Sequence, residues 1–488
     1  MTMNRATGKF VKKRHDNRMK QKADIFYTRA AGDKVQKLEA MNAVASPDDS
    51  DAWTKLDESE WTGKFVPSSA ASLSDGVPLE SVFPWYLSGS KTGRSWVIAP
   101  TEHALKSRLK KLVSTPDNDE GQTLFADSPE GRKYLKSTKS QLIDESSSRS
   151  QAVSELDSEQ GISVRRYGYR SFDREYCIAD HRFVDRPGLT WHVGRNEQQV
   201  FFTSLSATAV GNGPAVTATP YPADIHHFRG SYGARDVYPL YRSAHSPEAN
   251  VAAGLLAVLT SAYGRSVTPE EVACYVMGQL GTEAYTRRFG DELAESPAMV
   301  IFTKDVKLFE RVVSLGRTLI FEASWGERMS EINKFGVSIT ERFRGKAACK
   351  KATTVYPESW SYDESSRTLT VGEGEFVGVD PEVMNFQVSD TSVVASWLGS
   401  RMEAPSGVIS SDLNYIHADE WNHNQELLEL LWQLEFFIQK TPEAAELLER
   451  VIQGDKVLPI EIGTPLESEQ AEPKPKDDNQ TGLALQID

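Results

Sequence analysis

Cysteine is scarce in this chain: there are three in 488 residues, Cys177, Cys274 and Cys349, separated by 97 and 75 positions. Those intervals fit neither a zinc knuckle nor a disulfide framework, so buried thiols are expected. Long apolar runs are missing too. The longest stretch of purely apolar and small residues, 251–259, has nine members, where crossing a bilayer takes about twenty. The amino terminus, MTMNRATGKFVKKRHDNRMKQK, is basic but has no apolar core and no small-residue cleavage site, so no export signal is read and a cytoplasmic protein with no membrane partner is expected.

Signatures of chemistry are equally sparse. The chain has no GxSxG, no HExxH, no CxxC and no GxxxxGK followed by Ser or Thr. In GSKTG, residues 89–93, the glycines stand too close for a phosphate loop and no Lys follows the second, so a turn is the reading. GEGEFVG at 372–378 sits inside a strand pattern instead of opening a helix, which excludes a dinucleotide fingerprint. The loop that presents the target amine in amino-methyltransferases, an Asn or Asp before two prolines and an aromatic, is absent; TPYP at 219–222 comes nearest. An ExK triplet occurs at 472–474, in the tail. No catalytic, cofactor or metal residue is assigned.

What is present is the composition of an ordinary globular protein, 39% hydrophobic and 25% charged, with length for about three folding units. The net charge of −14 argues against indiscriminate nucleic-acid binding, but it is unevenly spread. Residues 1–37 hold eleven Lys and Arg against three Asp, whereas residues 412–488 hold five basic against seventeen acidic groups. Residues 164–242 carry ten Arg against seven acids, and no Lys occurs from 140 to 303. Arg offers a planar donor fork suited to phosphates and guanine edges. A lineage preference for Arg combined with structural ion pairs is the alternative.

The pattern of elements reads as α+β: a β-rich recognition sheet interrupted by a helical insertion, then C-terminal helices and a disordered acidic tail. Residues 1–75 form a basic arm, the strand ADIFYTRA and the helix DKVQKLEAMNAV. Residues 76–245 form a β-rich part with a Ser- and acid-rich connection at 114–161, and 246–345 the helical insertion. Strands return at 346–415, helices fill 416–455, and the tail is 456–488. Ser246-Pro247, Thr268-Pro269 and Thr441-Pro442 each announce a helix start, and Thr268 with Glu271 has capping-box spacing. The helix from Val306 is expected to stop at Gly316, and removal of everything beyond Gly463 to leave the body unchanged.

At Arg165 a family pattern emerges. RRYGYRSFDREYCIADHRFVDRPG, residues 165–188, resembles a block of the C-terminal specificity domain of type ISP restriction-modification enzymes. SGSKTGRSW at 88–96, PADIHHF at 222–228, VYPLY at 237–241, AYTRRFGDEL at 284–293, FQVSDTSVVASWLGSRM at 386–402 and QELLELLWQLE at 425–435 follow the same pattern, over about residues 80–455. Ser171 stands where the family usually has Pro, Ser95 where Asp is common, and Asp390 where Gly is usual. The opening segment is similar to the end of the family's adenine-specific methyltransferase domain. The resemblance implies sequence-specific recognition of double-stranded DNA, guiding a methyltransferase and nuclease partner subunit. It also implies that S-adenosylmethionine, ATP and Mg belong to upstream domains, with no cofactor in this chain. The competing readings are an enzyme in its own right, as a fragment of an adenine-specific DNA methyltransferase, and a protein-binding scaffold or gene remnant.

The DNA-binding candidates are Lys91, Arg94, Arg165, Arg166, Arg170, Arg174, Arg182, Arg186, His226, His227 and Arg229. Lys91 and Arg94, on a Gly-bounded turn, are expected to be exposed phosphate contacts, and Arg182 or Arg186 a base reader. Arg170, Asp173 and Arg174 fit an internal ion-pair network equally well. Tyr169 and Phe172 are expected in the core. His226 and His227 have three readings: a metal ligand, a core or capping histidine, or a contact in a groove.

Overall fold

The computed structural model describes residues 26–28, 34–43, 53–55, 73–115, 119–126, 139–141, 148–150, 153, 156, 162–206, 209–228, 237–246, 248–294, 296–330, 341–405 and 411–473. The chain divides into two compact units, Met1–Ser74 and Asp75–Asp488. In the first, Phe26–Tyr27 pairs antiparallel with Thr54–Lys55, and Lys34–Ala43 is helical.

The second unit is α+β. Among its described residues, helices combine with several small antiparallel sheets. One has the order Ile98–Ala99, Asp173–Ile178, Val164–Arg170; another has Thr217–Thr219, Phe201–Thr203, Val237–Pro239. The strands after the helical part form a four-stranded sheet of their own, Ala348–Lys351, Gly374–Val377, Thr368–Val371, Trp360–Asp363.

The hairpin 164–178 organises everything that follows. Its strands are rich in aromatic and β-branched residues, and its turn places Phe172 at φ 63°, in the left-handed region. A non-glycine residue there costs about 1 kcal/mol or more. The ring holds the turn, packing edge-to-face on Phe386 and Phe437 at 5.5 and 4.9 Å. Beneath the hairpin, Trp96, Leu105, Leu109, Phe125, Phe183 and Trp191 close one hydrophobic core. Leu124 and Phe125, apolar islands in the expected connection, end the helix Asp119–Ala126 and are buried.

Local signals and packing disagree in three places. Thr268 caps Pro269–Leu280 with the full capping box, as its sequence dictates. The helix Val306–Ala323, by contrast, runs through Gly316. A Cβ on Gly316 would lie 1.7 Å from the Cys274 carbonyl oxygen, and one on Gly278 2.2 Å from that of Val312. These glycines let two helices touch backbone to backbone; Gly316 marks a crossing and not a stop. Pro442 likewise starts nothing: Asn424–Gln453 is one helix with Pro442 inside it, and the Thr441 hydroxyl donates to the Phe437 carbonyl at 3.0 Å. No helix starts after Ser246 either; Ala253–Tyr263 begins seven residues later, its Ala253 N–H donating to Glu469 Oε1 at 2.8 Å.

That last contact corrects the reading of the tail as far as residue 473. Lys456–Val457 pairs with Phe302–Thr303, and Pro459–Ile462 and Glu467–Gln470 are short helices. The Arg242 guanidinium donates to the carbonyls of Ser468 (3.3 Å), Ala471 (2.7 Å) and Glu469. An acidic, apolar-poor stretch is thus fastened by backbone carbonyls, which composition does not report. Residues 474–488 lie outside the described residues. Cys177 and Cys274 are buried thiols and Cys349 is half-buried. No helix among the described residues is long and apolar enough to cross a membrane.

Candidate functional site

Three separate stretches of sequence, 88–94, 165–170 and 222–228, are laced together by backbone hydrogen bonds. Ser90 N–H donates to the Ala223 carbonyl (2.8 Å) and Ile225 N–H to that of Ser90 (2.9 Å). Gly168 N–H donates to Pro222 O (3.0 Å), and Asp224 N–H to Gly168 O (2.8 Å). The approach demands glycine, since a Cβ on Gly89 would sit 2.4 Å from the Asp224 carbonyl oxygen. Ser171 also matters here. Its N–H donates to His227 O at 2.7 Å, a bond that proline at this position could not make.

On the outer edge of this lattice, Lys91 and Arg186 exchange both backbone hydrogen bonds, at 2.8 and 2.9 Å. They are a hydrogen-bonded antiparallel pair, so their side chains leave on the same face. Lys91 is half-buried and Arg186 exposed. His226, also half-buried, stands in the same field: burial lowers its pKa first, and Arg170 and Lys91 lower it further against the opposing pull of Asp224. Its Nδ1 is buried without a hydrogen-bond partner.

Arg170 completes the group from the hairpin. Its guanidinium lies 4.0 Å from the centre of the Tyr169 ring, and Nη1 donates to Asp224 Oδ1 at 2.9 Å and to the Tyr169 carbonyl at 2.7 Å. Asp224 is 4% exposed. It also accepts from the Tyr167 hydroxyl (2.8 Å) and from the His226 backbone N–H (2.8 Å). Burial and the Asp224 charge together push the Tyr167 phenol well above its ordinary range. The Tyr167 ring stacks on Trp191 at 5.5 Å and 7°, and Trp191 Nε1 donates to Ser90 Oγ at 3.0 Å.

The other basic candidates divide by burial. Arg94, expected on the surface, is 4% exposed: its Nε donates to Phe125 O and its Nη1 to Phe183 O and Asp185, all within 3.1 Å. Arg182 is equally buried, its fork closed on Asp180 at 2.7 and 3.1 Å. Both are scaffold, because a guanidinium engaged on interior acceptors and 3% exposed or less has no face to offer a ligand, whereas the Arg170 side chain keeps 22% exposure. His227 is buried as well, Nδ1 lying 2.9 Å from Thr203 Oγ1, and burial drops its pKa to about 3. It is a neutral core histidine. Arg165 is exposed on its strand, and Arg166 is half-buried over the Tyr176 ring at 4.1 Å. Arg229 lies outside the described residues.

Arg170, Asp173 and Arg174 do not pair with one another; each forms an ion pair with a distant partner, Arg170 with Asp224. Arg174 packs 4.8 Å from the Trp325 ring centre and pairs with Glu327 and Glu429 at 3.4 and 3.8 Å. Asp173 pairs with Arg401 at 2.8 Å, and Glu175 shares that same guanidinium at 3.4 Å. Sequence reasoning missed Asp224, Tyr167, Trp191 and Arg401, which position and do not contact. Asp224, Tyr167 and Arg401 lay in stretches already singled out, at 222–228, 165–188 and 386–402, whereas Trp191 lay outside them. Among the described residues no group of three or more His, Cys, Asp or Glu could hold a metal ion.

The model of the family described as the Type ISP C-terminal specificity domain matches residues 81–431. No curated protein matches in sequence. Among solved structures, the chain is similar to the ATP-dependent Type ISP restriction-modification enzyme LlaBIII bound to DNA, at 14% identity and a TM-score of 0.53. That match covers 87% of this chain and 27% of LlaBIII. It is similar also to DrdV in a cryoEM complex with DNA, at 14% identity and a TM-score of 0.51, over 86% of this chain and 41% of DrdV. The chain therefore spans well under half the length of either, and likeness at this identity speaks for the fold alone.

Proposed function

Because this chain belongs to the family of Type ISP C-terminal specificity domains, we propose that it recognises a target sequence in double-stranded DNA. The surface formed by Lys91, Arg186, His226 and Arg170 makes the contacts, and the exposed Arg165 extends it along the hairpin. The observation that carries this reading is the cross-strand pairing of Lys91 with Arg186. Like charges directly opposite on one face are destabilising by themselves, and a phosphate backbone is a ligand that turns that cost into attraction. Beside the pair, a guanidinium fork held over an aromatic ring supplies donors suited to guanine edges.

In this proposal the recognised site is handed to an adenine-specific methyltransferase and nuclease carried on a partner subunit or on upstream domains. S-adenosylmethionine, ATP and Mg act there, and this chain contributes specificity. Selection of the full chain against random duplexes tests the reading. One enriched sequence is expected, bound more weakly by Arg186→Ala at an unchanged melting temperature. Recovery of no enriched sequence would overturn it.

A further inference from the structure

Asp224 is acidic and almost fully buried, so nothing about it suggests a role beside a polyanion. Yet Arg170, His226 and, through Tyr167, the turn that carries Lys91 are tied to it. Its carboxylate takes the Arg170 Nη1 at 2.9 Å from the hairpin, the Tyr167 hydroxyl at 2.8 Å from the same strand, and the His226 N–H at 2.8 Å from its own loop. Tyr167 Oη also lies 3.1 Å from the Ser90 carbonyl, in the turn that carries Lys91. A buried carboxylate is tolerated only when its oxygens are filled with donors. Here the donors are the very groups whose direction matters, and the filling of the carboxylate therefore fixes that direction. Stacking of the Arg170 guanidinium on Tyr169 at 4.0 Å removes its remaining rotational freedom.

We infer that Asp224 is the positioning residue of this surface: it aims the Arg170 fork and the His226 loop at the base edges, serving discrimination between sequences and not bulk affinity. The inference rests on the DNA-reading proposal above. Its electrostatic sign makes it distinctive. A negative charge beside phosphate weakens attraction, so removing it raises or preserves affinity for arbitrary duplex while the aim of the fork is lost.

The test uses the full chain, a selected duplex and a scrambled duplex of equal length. Asp224→Asn removes the charge and leaves one acceptor oxygen for the three donors that the carboxylate holds. It is expected to bind the scrambled duplex as well as the parent does, or up to about threefold more tightly, while the preference for the selected duplex falls about tenfold or more, or about 1.4 kcal/mol. Tyr167→Phe removes one donor to the same carboxylate and leaves the Arg170 pair. It lowers the melting temperature but keeps the preference within about threefold. Arg170→Lys keeps charge and carboxylate and serves if the first variant does not fold; it too is expected to lose preference without losing affinity for the scrambled duplex. Preference retained in Asp224→Asn, or in Arg170→Lys where that variant stands in, or lost equally in Tyr167→Phe, overturns the inference alone. A parent chain with no preference for any duplex overturns the proposed function along with it.

Discussion

Glu175 and Asp173 share one guanidinium, that of Arg401, and all three side chains are 3% exposed or less. The Arg401 fork rests 3.9 Å from the Trp397 ring centre and donates also to the Trp397 carbonyl and Ser400 Oγ. One cation for two buried acids leaves an excess of negative charge. Burial and the Asp173 charge accordingly raise the Glu175 carboxyl to about 7, with Arg401 opposing. A carboxyl whose pKa is raised on folding contributes stability below its unfolded value, near 4.5, and loses it as pH climbs through the folded value. Glu426 and His227 work in the opposite sense, both losing stability as pH falls, because their folded pKa values drop to about 2 and about 3. Glu175→Gln should therefore separate the effects. Across pH 4.5 to 7, the melting temperature of the parent minus that of the variant is expected to decline steadily. A constant difference would remove Glu175 from the titration.

At the scale of elements, the informative contacts are those that override local sequence. Removing residues beyond Gly463 deletes the Ser468, Glu469 and Ala471 carbonyls that engage Arg242, and the Glu469 carboxylate that caps Ala253. A charged hydrogen bond contributes about 1.5–3 kcal/mol and a cap about 1. A chain ending at Gly463 is thus expected to melt at least about 3 °C lower, and an unchanged midpoint in a thermal scan would refute the strap. Composition read this segment as tail because it is acidic and poor in apolar residues; its anchors lie more than 200 positions away. The capping box at Thr268 was legible because all of its parts lie within four residues. Gly316 and Pro442 were not, because whether such a residue ends a helix depends on what packs against it. Gly316 meets the Cys274 carbonyl, and Pro442 sits in a helix whose buried face, Leu434, Phe437, Ala444 and Leu447, keeps it continuous.

For the molecule as a whole, family and fold class were legible because they rest on ordered blocks and on the alternation of elements. The contact surface was legible in part. Lys91, Arg170, Arg186 and His226 were all named from sequence; Lys91 pairs with Arg186, and the charges of Lys91 and Arg170 act on His226. Arg94 and Arg182 carry the same charge in the same blocks, yet they turn inward, because Asp185 with the Phe125 and Phe183 carbonyls takes the one and Asp180 the other. A residue type states what a side chain can do, and only its partners decide where it points. The net charge of −14 adds a constraint: attraction to DNA must be local, and the proposal places it on this face.

The salt dependence of duplex binding tests that localisation most directly. Each phosphate contact contributes about −0.9 to the slope of log affinity against log salt concentration. For the full chain on its selected duplex, the double variant Lys91→Ala, Arg186→Ala is expected to give a slope shallower by about two units at an unchanged melting temperature. An identical slope in parent and double variant would contradict the assignment of this face to DNA.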